Sequence, residues 1–306
     1  MAKVIGISGA KTASTTLYDP TCGSGSLLLK AADEALPIKI SIYGQEKEVA
    51  TAALAKMNMY LHNYTGYEIE KGQSTLSDPL FRDETTGLMK TFDFVVANPP
   101  FSYKSWSVGV KTESKEDDIH DRFKEYGLPP KKNGDYAFLL HIIKSLNSTG
   151  KGACILPHGV LFRGNAEAEI RKNIIAKKYI KGIIGLPPNL FYGTGIPACI
   201  IVIDKENATE RKGIFMIDAG KGFIKDGNKN RLREKDLHRI VDVFNKQSTV
   251  KKFARLVLYD EIERNEFNLN IPRYIDSQET EDVQDIAAHL LGDIPAKDVN
   301  DLEEYW

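Results

Sequence analysis

Short apolar runs alternate with stretches of helical spacing along most of this chain. Such alternation predicts buried strands joined by amphipathic helices, as in an α/β fold. The runs that predict strands are 17–19, 38–44, 67–70, 92–97, 152–157, 180–186, 198–203 and 214–217. Helical spacing is found after residue 26, over 46–62, from 135 onward, over about 166–177 and over 234–246. The last three strand runs have connections too short for crossover helices, so we expect antiparallel pairing among them.

Other segments have no sustained period. Residues 1–16 are small and polar and are expected to form a loose lead-in to the sheet. Residues 102–134 have many charges and no regular spacing, and we interpret them as a mobile substrate loop. Residues 220–235 are polar and basic without a convincing strand, and 253–274 have a mixed pattern. A helix-like stretch lies at about 283–291.

One predicted strand ends in an unusual corner. The run 92–97 is followed by Asn98, Pro99, Pro100 and Phe101, and prolines cannot extend a strand because they donate no backbone hydrogen bond. The corner presents a side-chain amide, carbonyl groups and an aromatic ring at the end of a strand where open α/β sheets bind ligands. A rigid turn is the alternative interpretation. The other two Pro-Pro pairs of the chain lack both the preceding Asn and the following aromatic residue.

Two further strand ends carry candidate binding residues. The segment 19–25, Asp-Pro-Thr-Cys-Gly-Ser-Gly, follows the first predicted strand, and its glycines allow close approach of the backbone to a ligand. Glu46 follows the second strand, where nucleotide-binding α/β folds place a carboxylate for ribose hydroxyls. A plain turn and a charge at a helix start remain the alternatives for these two features.

Composition narrows the class of protein. Apolar residues make up 42% and charged residues 27% of the chain, both ordinary for a soluble globular protein. No run of about 18 apolar residues predicts a membrane span, and no secretory signal is present, so we expect a cytoplasmic protein. The three cysteines are unclustered, which argues against a disulfide framework or a zinc site.

Charge is distributed unevenly along the chain. Residues 276–306 contain ten acidic side chains and one basic one, which leaves residues 1–275 with a net charge of +8. A basic body is compatible with a polyanionic partner, although charge alone is a weak signal.

Taken in order, these motifs resemble those of the amino-methyltransferases that use S-adenosyl-L-methionine. In that group Asp-Pro-x-x-Gly-Ser-Gly holds the cofactor and Asn-Pro-Pro-Phe or Asn-Pro-Pro-Tyr holds the amino acceptor. The chain looks most like the modification (M) subunit of type I restriction-modification systems, a family of N6-adenine DNA methyltransferases. Further similarity is found in 134–138, 156–164 and 268–274, and the resemblance covers roughly residues 17–275.

The resemblance implies a Rossmann-like fold with a mostly parallel, seven-stranded type of sheet, an antiparallel hairpin and helices on both faces. It assigns catalysis to Asn98, Pro99, Pro100 and Phe101, stacking of the target base to Phe101 and Phe191, and no role to a metal. Cofactor binding is assigned to Asp19, Pro20, Thr21, Gly23, Ser24, Gly25, Glu46 and Gln73. Gln73 stands where the family usually has an acidic residue.

The resemblance also implies an organisation and a set of partners. We expect a lead-in at 1–16, a methyltransferase catalytic domain at 17–219, a peripheral mixed extension at 220–275 and an acidic tail at 276–306 that docks a subunit. The family's amino-terminal helical domain, with its Tyr-Thr-Pro type motif, is expected to be missing. The implied partners are DNA, the specificity (S) subunit and the restriction (R) subunit, without a membrane.

Two other functions stay open. The chain could be an inactive nucleic-acid-binding fragment of such a subunit, or a methyltransferase for glutamine side chains of proteins. The length after the fourth strand and the late motifs disfavour the second of these. Cytosine C5 methylation is disfavoured because the chain has no Pro-Cys nucleophile motif.

Overall fold

Nine strands form one twisted α/β sheet within the part of the chain that the computed structural model describes, residues 1–277 with Leu290 and Gly292. The strands of this sheet are β1 (Thr16–Asp19), β2 (Ser41–Glu46), β3 (Tyr67–Lys71), β4 (Phe92–Ala97), β5 (Leu146–Pro157), β6 (Ile180–Gly185), β7 (Ala198–Asp204), β8 (Gly213–Asp218) and β11 (Ala254–Leu258). A separate hairpin contains β9 (Ile224–Asp226) and β10 (Lys229–Arg231). The order across the sheet is β11-β8-β6-β7-β5-β4-β1-β2-β3.

Helices cover both faces of the sheet. They are α1 (Ala2–Ile5), α2 (Ser26–Asp33), α3 (Val49–Leu61), α4 (Asp135–Ser145), α5 (Ala166–Ala176), α6 (Glu234–Lys246) and α7 (Tyr259–Arg264). Apolar side chains of α1, α2, α3 and α6 form one core, and those of α4, α5 and α7 form the other. Neighbouring strand residues alternate between the two cores, as period-two geometry requires: Val95 contributes to one and Val96 to the other.

The pairing of β8 differs from the sequence prediction. β6 and β7 are antiparallel, as expected, but β8 pairs in parallel with β6 rather than with β7. β5 and β6 occupy both edges of β7, so β8 has to use the free edge of β6. The addition of β8 and then β11 gives nine strands instead of the seven implied by the resemblance.

Several irregular segments also differ from expectation. The lead-in at 1–16 includes the short helix α1 and a 3₁₀ turn at Ile7–Gly9, and Val4, Ile5 and Ile7 are buried. The polar segment 220–235 contains the hairpin β9–β10. Residues 254–258 of the expected peripheral extension lie in the main sheet as β11, where they pair with β8.

The segment 102–134 has no helix or strand, yet it is packed into the protein rather than free of it. Trp106 and Phe123 are buried, and the Trp106 indole N–H donates a hydrogen bond of 3.0 Å to the carbonyl of Pro130. Arg122 forms a buried ion pair of 2.6 Å with Asp118 and also lies 3.4 Å from His141 of α4. The sequence predicts a mobile loop here, whereas these contacts show a packed segment.

Residues 1–276 form one compact unit, and 277–306 are assigned to a second one. The acidic tail from 278 onward and the helix-like stretch at 283–291 lie outside the described residues, apart from Leu290 and Gly292. Within the described part, none of the helices combines the length and apolarity that crossing a membrane requires.

Candidate active site

The predicted binding motifs meet at the carboxyl ends of three neighbouring parallel strands. β1 lies between β2 and β4, so the ends of these strands bring Asp19, Glu46 and Asn98 to one edge of the sheet. β2 and β3 continue from β1 on one side, and β4 and β5 lie on the other. The crevice where strand order reverses is the usual ligand site of an open α/β sheet.

The glycine-rich turn connects β1 to α2. Gly25 has φ +78° at the start of α2, a conformation that favours glycine, and a Cβ there would lie 2.9 Å from the end of the Met59 side chain. A Cβ at Gly23, with φ +53°, would have no described heavy atom within 4 Å. The carbonyl of Ser24 accepts a hydrogen bond of 2.8 Å from the side chain of Asn58 in α3. The turn is therefore packed against α3 at Gly25 and open at Gly23.

Two carboxylates hold this turn. Asp19 is buried and accepts a hydrogen bond of 2.8 Å from the backbone N–H of Thr21, and Glu46 accepts one of 3.0 Å from the N–H of Gly23. Burial raises the pKa of Asp19 to about 7, and the negative charge of Glu46 adds to the increase. Neither carboxylate forms an ion pair with a described basic side chain. This pair of acids therefore favours a cationic ligand.

Gln45, which sequence reasoning missed, holds the segment next to Glu46 in place. The fully buried Gln45 side chain donates hydrogen bonds to the carbonyls of Gln73 and Asp78, at 3.2 and 2.9 Å, and accepts one of 3.0 Å from the N–H of Leu80. Gln73 itself is exposed, two residues beyond β3. Gln45 thereby fixes the segment that carries Gln73 next to the end of β2.

The Asn-Pro-Pro-Phe corner follows β4. Asn98 is exposed and its side-chain amide makes no hydrogen bond to the residues described, whereas Pro99 is buried and Phe101 is half-buried. Ser102 then turns the chain with φ +50°, and its backbone N–H donates a hydrogen bond of 2.7 Å to Asp135. The corner is anchored through Ser102, which leaves the amide of Asn98 unbonded and available to a ligand.

Asp135, at the start of α4, anchors that corner. It is fully buried, and it also accepts a hydrogen bond of 2.8 Å from the guanidinium of Arg163, which lies 3.2 Å from Glu167 of α5. The sequence motifs at 134–138 and 156–164 carry Asp135 and Arg163, but nothing in their local pattern shows that they meet. Their contact links α4 and α5 to the corner.

A second loop closes the groove from the other side. The β6–β7 connection brings Phe191 to Phe101 with ring centroids 5.9 Å apart and planes at 74°, an edge-to-face contact. The groove between corner and loop has a volume of about 500 Å³. Its lining residues are Asn98, Pro99, Pro100, Phe101, Ser102, Phe191, Tyr192, Gly193, Thr194 and Ile196.

The groove contains carbonyl, amide and aromatic groups but no Asp, Glu, His, Lys or Arg among the described residues that line it. The described part of the chain also has no cluster of His, Cys, Asp and Glu suited to a metal ion. The groove therefore offers hydrogen-bond acceptors and aromatic faces to a ligand.

Another cavity, of about 470 Å³, lies between α1, α2, α6 and the sheet. Most of its lining is apolar and includes Leu190 and Phe191. It includes neither Asp19 nor Asn98, so it is separate from the polar groups at the strand ends.

Comparison with known proteins agrees with this arrangement. Residues 1–283 match the family model described as N-6 DNA Methylase. The chain belongs to the N-6 DNA methylase family. Its fold is the α/β methyltransferase fold that the resemblance implied.

Relatives of this N-6 DNA methylase chain come from bacteria and archaea. It is 35% identical over 299 residues to the type I restriction enzyme MpnII methylase subunit of Mycoplasma pneumoniae, covering 94% of this chain and 54% of the relative. It is 34% identical over 278 residues to the MjaVII methylase subunit of Methanocaldococcus jannaschii, covering 87% and 47%. The chain therefore spans about half the length of these relatives.

A solved structure is similar as well. The type I restriction-modification system methyltransferase subunit from Streptococcus thermophilus superimposes with a TM-score of 0.79 at 38% identity, covering 90% of this chain and 58% of that one. The similarity supports the Rossmann-like methyltransferase fold over nearly the whole chain.

Proposed function

We propose that this chain methylates the N6 amino group of adenine in DNA, with S-adenosyl-L-methionine as cofactor, as the modification subunit of a type I restriction-modification system. One observation carries the proposal: the free amide of Asn98 and the carbonyl of Pro99 line an uncharged aromatic groove beside the acidic turn after β1. The names of the relatives, type I restriction enzyme methylase subunits, agree with it.

The residues at the strand ends fit the cofactor. S-adenosyl-L-methionine carries positive charge, and the unpaired carboxylates of Asp19 and Glu46 favour a cation. Gly23 leaves open space above the turn, and Glu46 and the exposed Gln73 would accept hydrogen bonds from the ribose and the adenine of the cofactor. Pro20, Thr21, Ser24 and Gly25 shape the turn. The bound cofactor supplies an activated methyl group.

The adenine amino group is a weak nucleophile because its lone pair is delocalised into the ring. The corner would make this nitrogen more nucleophilic. The side-chain carbonyl of Asn98 and the main-chain carbonyl of Pro99 would each accept one N6 hydrogen, which favours a pyramidal nitrogen with a localised lone pair. Because the groove holds no charged base, this nitrogen is activated by position and local electrostatics. After methyl transfer, the nitrogen carries one proton too many, and this proton would pass to water at the exposed side of Asn98.

Phe101 and Phe191 provide the binding surface for the base. A target adenine has to leave the duplex, which costs a few kcal/mol, and stacking on an aromatic ring returns roughly 1–3 kcal/mol per base. The two rings contact each other edge-to-face at 5.9 Å, so one of them turns aside when a base enters between them. The space between these two rings is the proposed position of the base.

The proposal extends to partners. It assigns the choice of DNA sequence to a specificity subunit and cleavage to a restriction subunit. The acidic segment 276–306 is the proposed docking segment for a partner subunit. A cytoplasmic location is part of the same proposal.

Methyl transfer from labelled S-adenosyl-L-methionine to DNA tests the proposal, with and without a specificity subunit. We expect Asn98→Ala to reduce transfer by about 100-fold or more, because an amide acceptor that positions the nitrogen is lost. Cofactor affinity, measured by calorimetry, should stay within about twofold of the unchanged chain. Asn63→Ala, in an exposed turn after α3, serves as the matched control.

The outcomes separate the alternatives. Transfer to DNA that persists in Asn98→Ala would contradict the role of Asn98. Label on a protein glutamine instead of DNA would favour the glutamine methyltransferase, and a chain that binds DNA but no cofactor would be a non-catalytic fragment.

A further inference from the structure

The loop between β6 and β7 carries two adjacent aromatic residues in different surroundings. Phe191 packs against Phe101 in the groove, whereas Tyr192 lies on the rim with 94% of its surface exposed. Phe191 is accounted for by the proposed stacking of the target base. Tyr192 has no such explanation, and no other aromatic side chain among the described residues is as exposed.

The backbone beneath Tyr192 is anchored from outside the loop. The ammonium of Lys229 donates hydrogen bonds to the carbonyls of Phe191 and Thr194, at 2.6 and 3.2 Å. These two carbonyls flank Tyr192 and converge on one lysine of β10. The turn that brings them together passes through Gly193, whose φ of +77° suits glycine.

Asn230, the next residue of β10, adds two more contacts to the same loop. Its backbone N–H donates to the carbonyl of Asn189 at 3.0 Å, and its buried side-chain amide donates to the carbonyl of Pro188 at 2.6 Å. The loop is thus held by four hydrogen bonds from Lys229 and Asn230. An aromatic side chain on an anchored backbone binds without the entropic cost of ordering the loop.

The anchoring lysine also leaves a positive charge behind the loop. Lys229 is bonded to neutral carbonyls and forms no ion pair with any carboxylate in the described residues. An uncompensated cation at this rim favours the approach of a polyanion to the same face.

We propose that Tyr192 is a DNA-contacting residue that stacks on a base next to the gap left by the extruded adenine. This inference rests on the proposed function, because a gap arises only if the target base leaves the duplex. Extrusion exposes the faces of the neighbouring bases, and proteins that bend or open DNA insert apolar side chains between base steps. Phe191 contacts the extruded base, and Tyr192, one residue further, contacts the duplex that it has left.

The test uses a duplex in which the target adenine is replaced by an abasic site and its neighbour by 2-aminopurine, whose fluorescence falls when it stacks. The full chain is combined with the specificity subunit, and Tyr192→Ala is compared with Tyr192→Phe. We expect the unchanged chain and Tyr192→Phe to quench the fluorescence. Tyr192→Ala should leave it unquenched and bind the duplex about tenfold more weakly.

Tyr60→Ala is the matched control, since Tyr60 is an aromatic residue of α3 with 76% exposure outside the groove. It should behave as the unchanged chain does. Quenching and affinity that survive in Tyr192→Ala would overturn the proposal.

A second pair of variants tests the anchor. Lys229→Met should lose the quenching although Tyr192 is intact, and the amides of 187–197 should exchange faster with deuterium. Lys225→Met, which changes an exposed lysine of the same hairpin, should do neither. Quenching and slow exchange retained in Lys229→Met would contradict the anchored-loop part of the inference.

The abasic duplex keeps this test independent of methyl transfer. Quenching through Tyr192 without any methylation of normal DNA would count against the proposed function alone. Methylation that depends on Asn98, with no effect of Tyr192→Ala on quenching, would count against this inference alone.

Discussion

Asp19 shows how burial changes the properties of a single charged residue. It lies 1% exposed at the end of β1, with Glu46 as its charged neighbour and no basic partner in the described residues. Burial raises the pKa of the Asp19 carboxyl to about 7, well above that of an ordinary aspartate. An ionised Asp19 is therefore unfavourable in the empty site and favourable beside a cation.

This pKa predicts an effect on stability with a defined sign. The folded carboxyl has a pKa of about 7 and the unfolded one about 3.9, so the folded chain binds the extra proton between these values and loses stability as pH rises. Above pH 7 the whole cost is present. We expect Asp19→Asn to raise the free energy of unfolding at pH 8 by up to about 4 kcal/mol, with a difference that shrinks toward pH 4.

Denaturant unfolding of the chain without cofactor, at pH 4 and pH 8, measures this effect. Glu70→Gln, which changes an exposed carboxylate of β3, should alter stability little at either pH. An Asp19→Asn chain that is less stable than the unchanged chain at pH 8 would contradict the buried charge.

The positions of motifs that are contiguous in the sequence could be predicted, and contacts between distant residues could not. The glycine turn and the Asn98 corner are contiguous, so their chemistry is visible in the sequence. Gln45 reaches a carbonyl 33 residues away, Arg163 reaches Asp135 across 28 residues, and Lys229 reaches Phe191 across 38. Such partners are set by strand order, which the sequence pattern does not specify.

At the scale of elements, the corner after β4 depends on two helices. Asp135 of α4 accepts hydrogen bonds from the N–H of Ser102 and from the guanidinium of Arg163. The other partner of Arg163 is Glu167 of α5. The corner is thus held by a buried carboxylate rather than by its two prolines alone. Hydrogen bonds to charged groups of this kind are worth about 1.5–3 kcal/mol.

Asp135→Asn tests this positioning role. The amide keeps the shape of the side chain but loses the charge that pairs with Arg163, so Asn98 should be held less firmly. We expect kcat for methyl transfer to fall by about 10- to 100-fold, with cofactor affinity within about twofold. Asp121→Asn, which changes an exposed aspartate of the segment 102–134, is the control. A loss confined to KM, with kcat unchanged, would contradict positioning of the reacting nitrogen.

The same scale shows where pattern reasoning succeeds and where it does not. Helix α6 has the predicted bounds of 234–246 because its apolar spacing is regular. The hairpin β9–β10 was missed because its strands have three residues each and few apolar positions. It forms because Lys229 and Asn230 bond to the β6–β7 loop, which is a tertiary contact.

For the described molecule as a whole, the sheet brings the acidic turn and the uncharged groove to neighbouring strand ends. Under the proposed function, the acidic residues favour the charged cofactor, and the carbonyls and rings of the groove fit a base with an amino group. Separation of these two environments follows from the reversal of strand order beside β1. The chain spans about half the length of its curated relatives, so the proposed activity is best tested together with the proposed partner subunits.

Identification of the methylated product tests the central claim most directly. The chain is incubated with partner subunits, DNA and S-adenosyl-L-methionine that carries a deuterated methyl group, and the DNA is digested to nucleosides for mass spectrometry. We predict deuterated N6-methyldeoxyadenosine with the unchanged chain and a loss of about 100-fold or more with Asn98→Ala. Label on cytosine, label on protein, or no transfer under conditions in which the cofactor binds would contradict the proposed function.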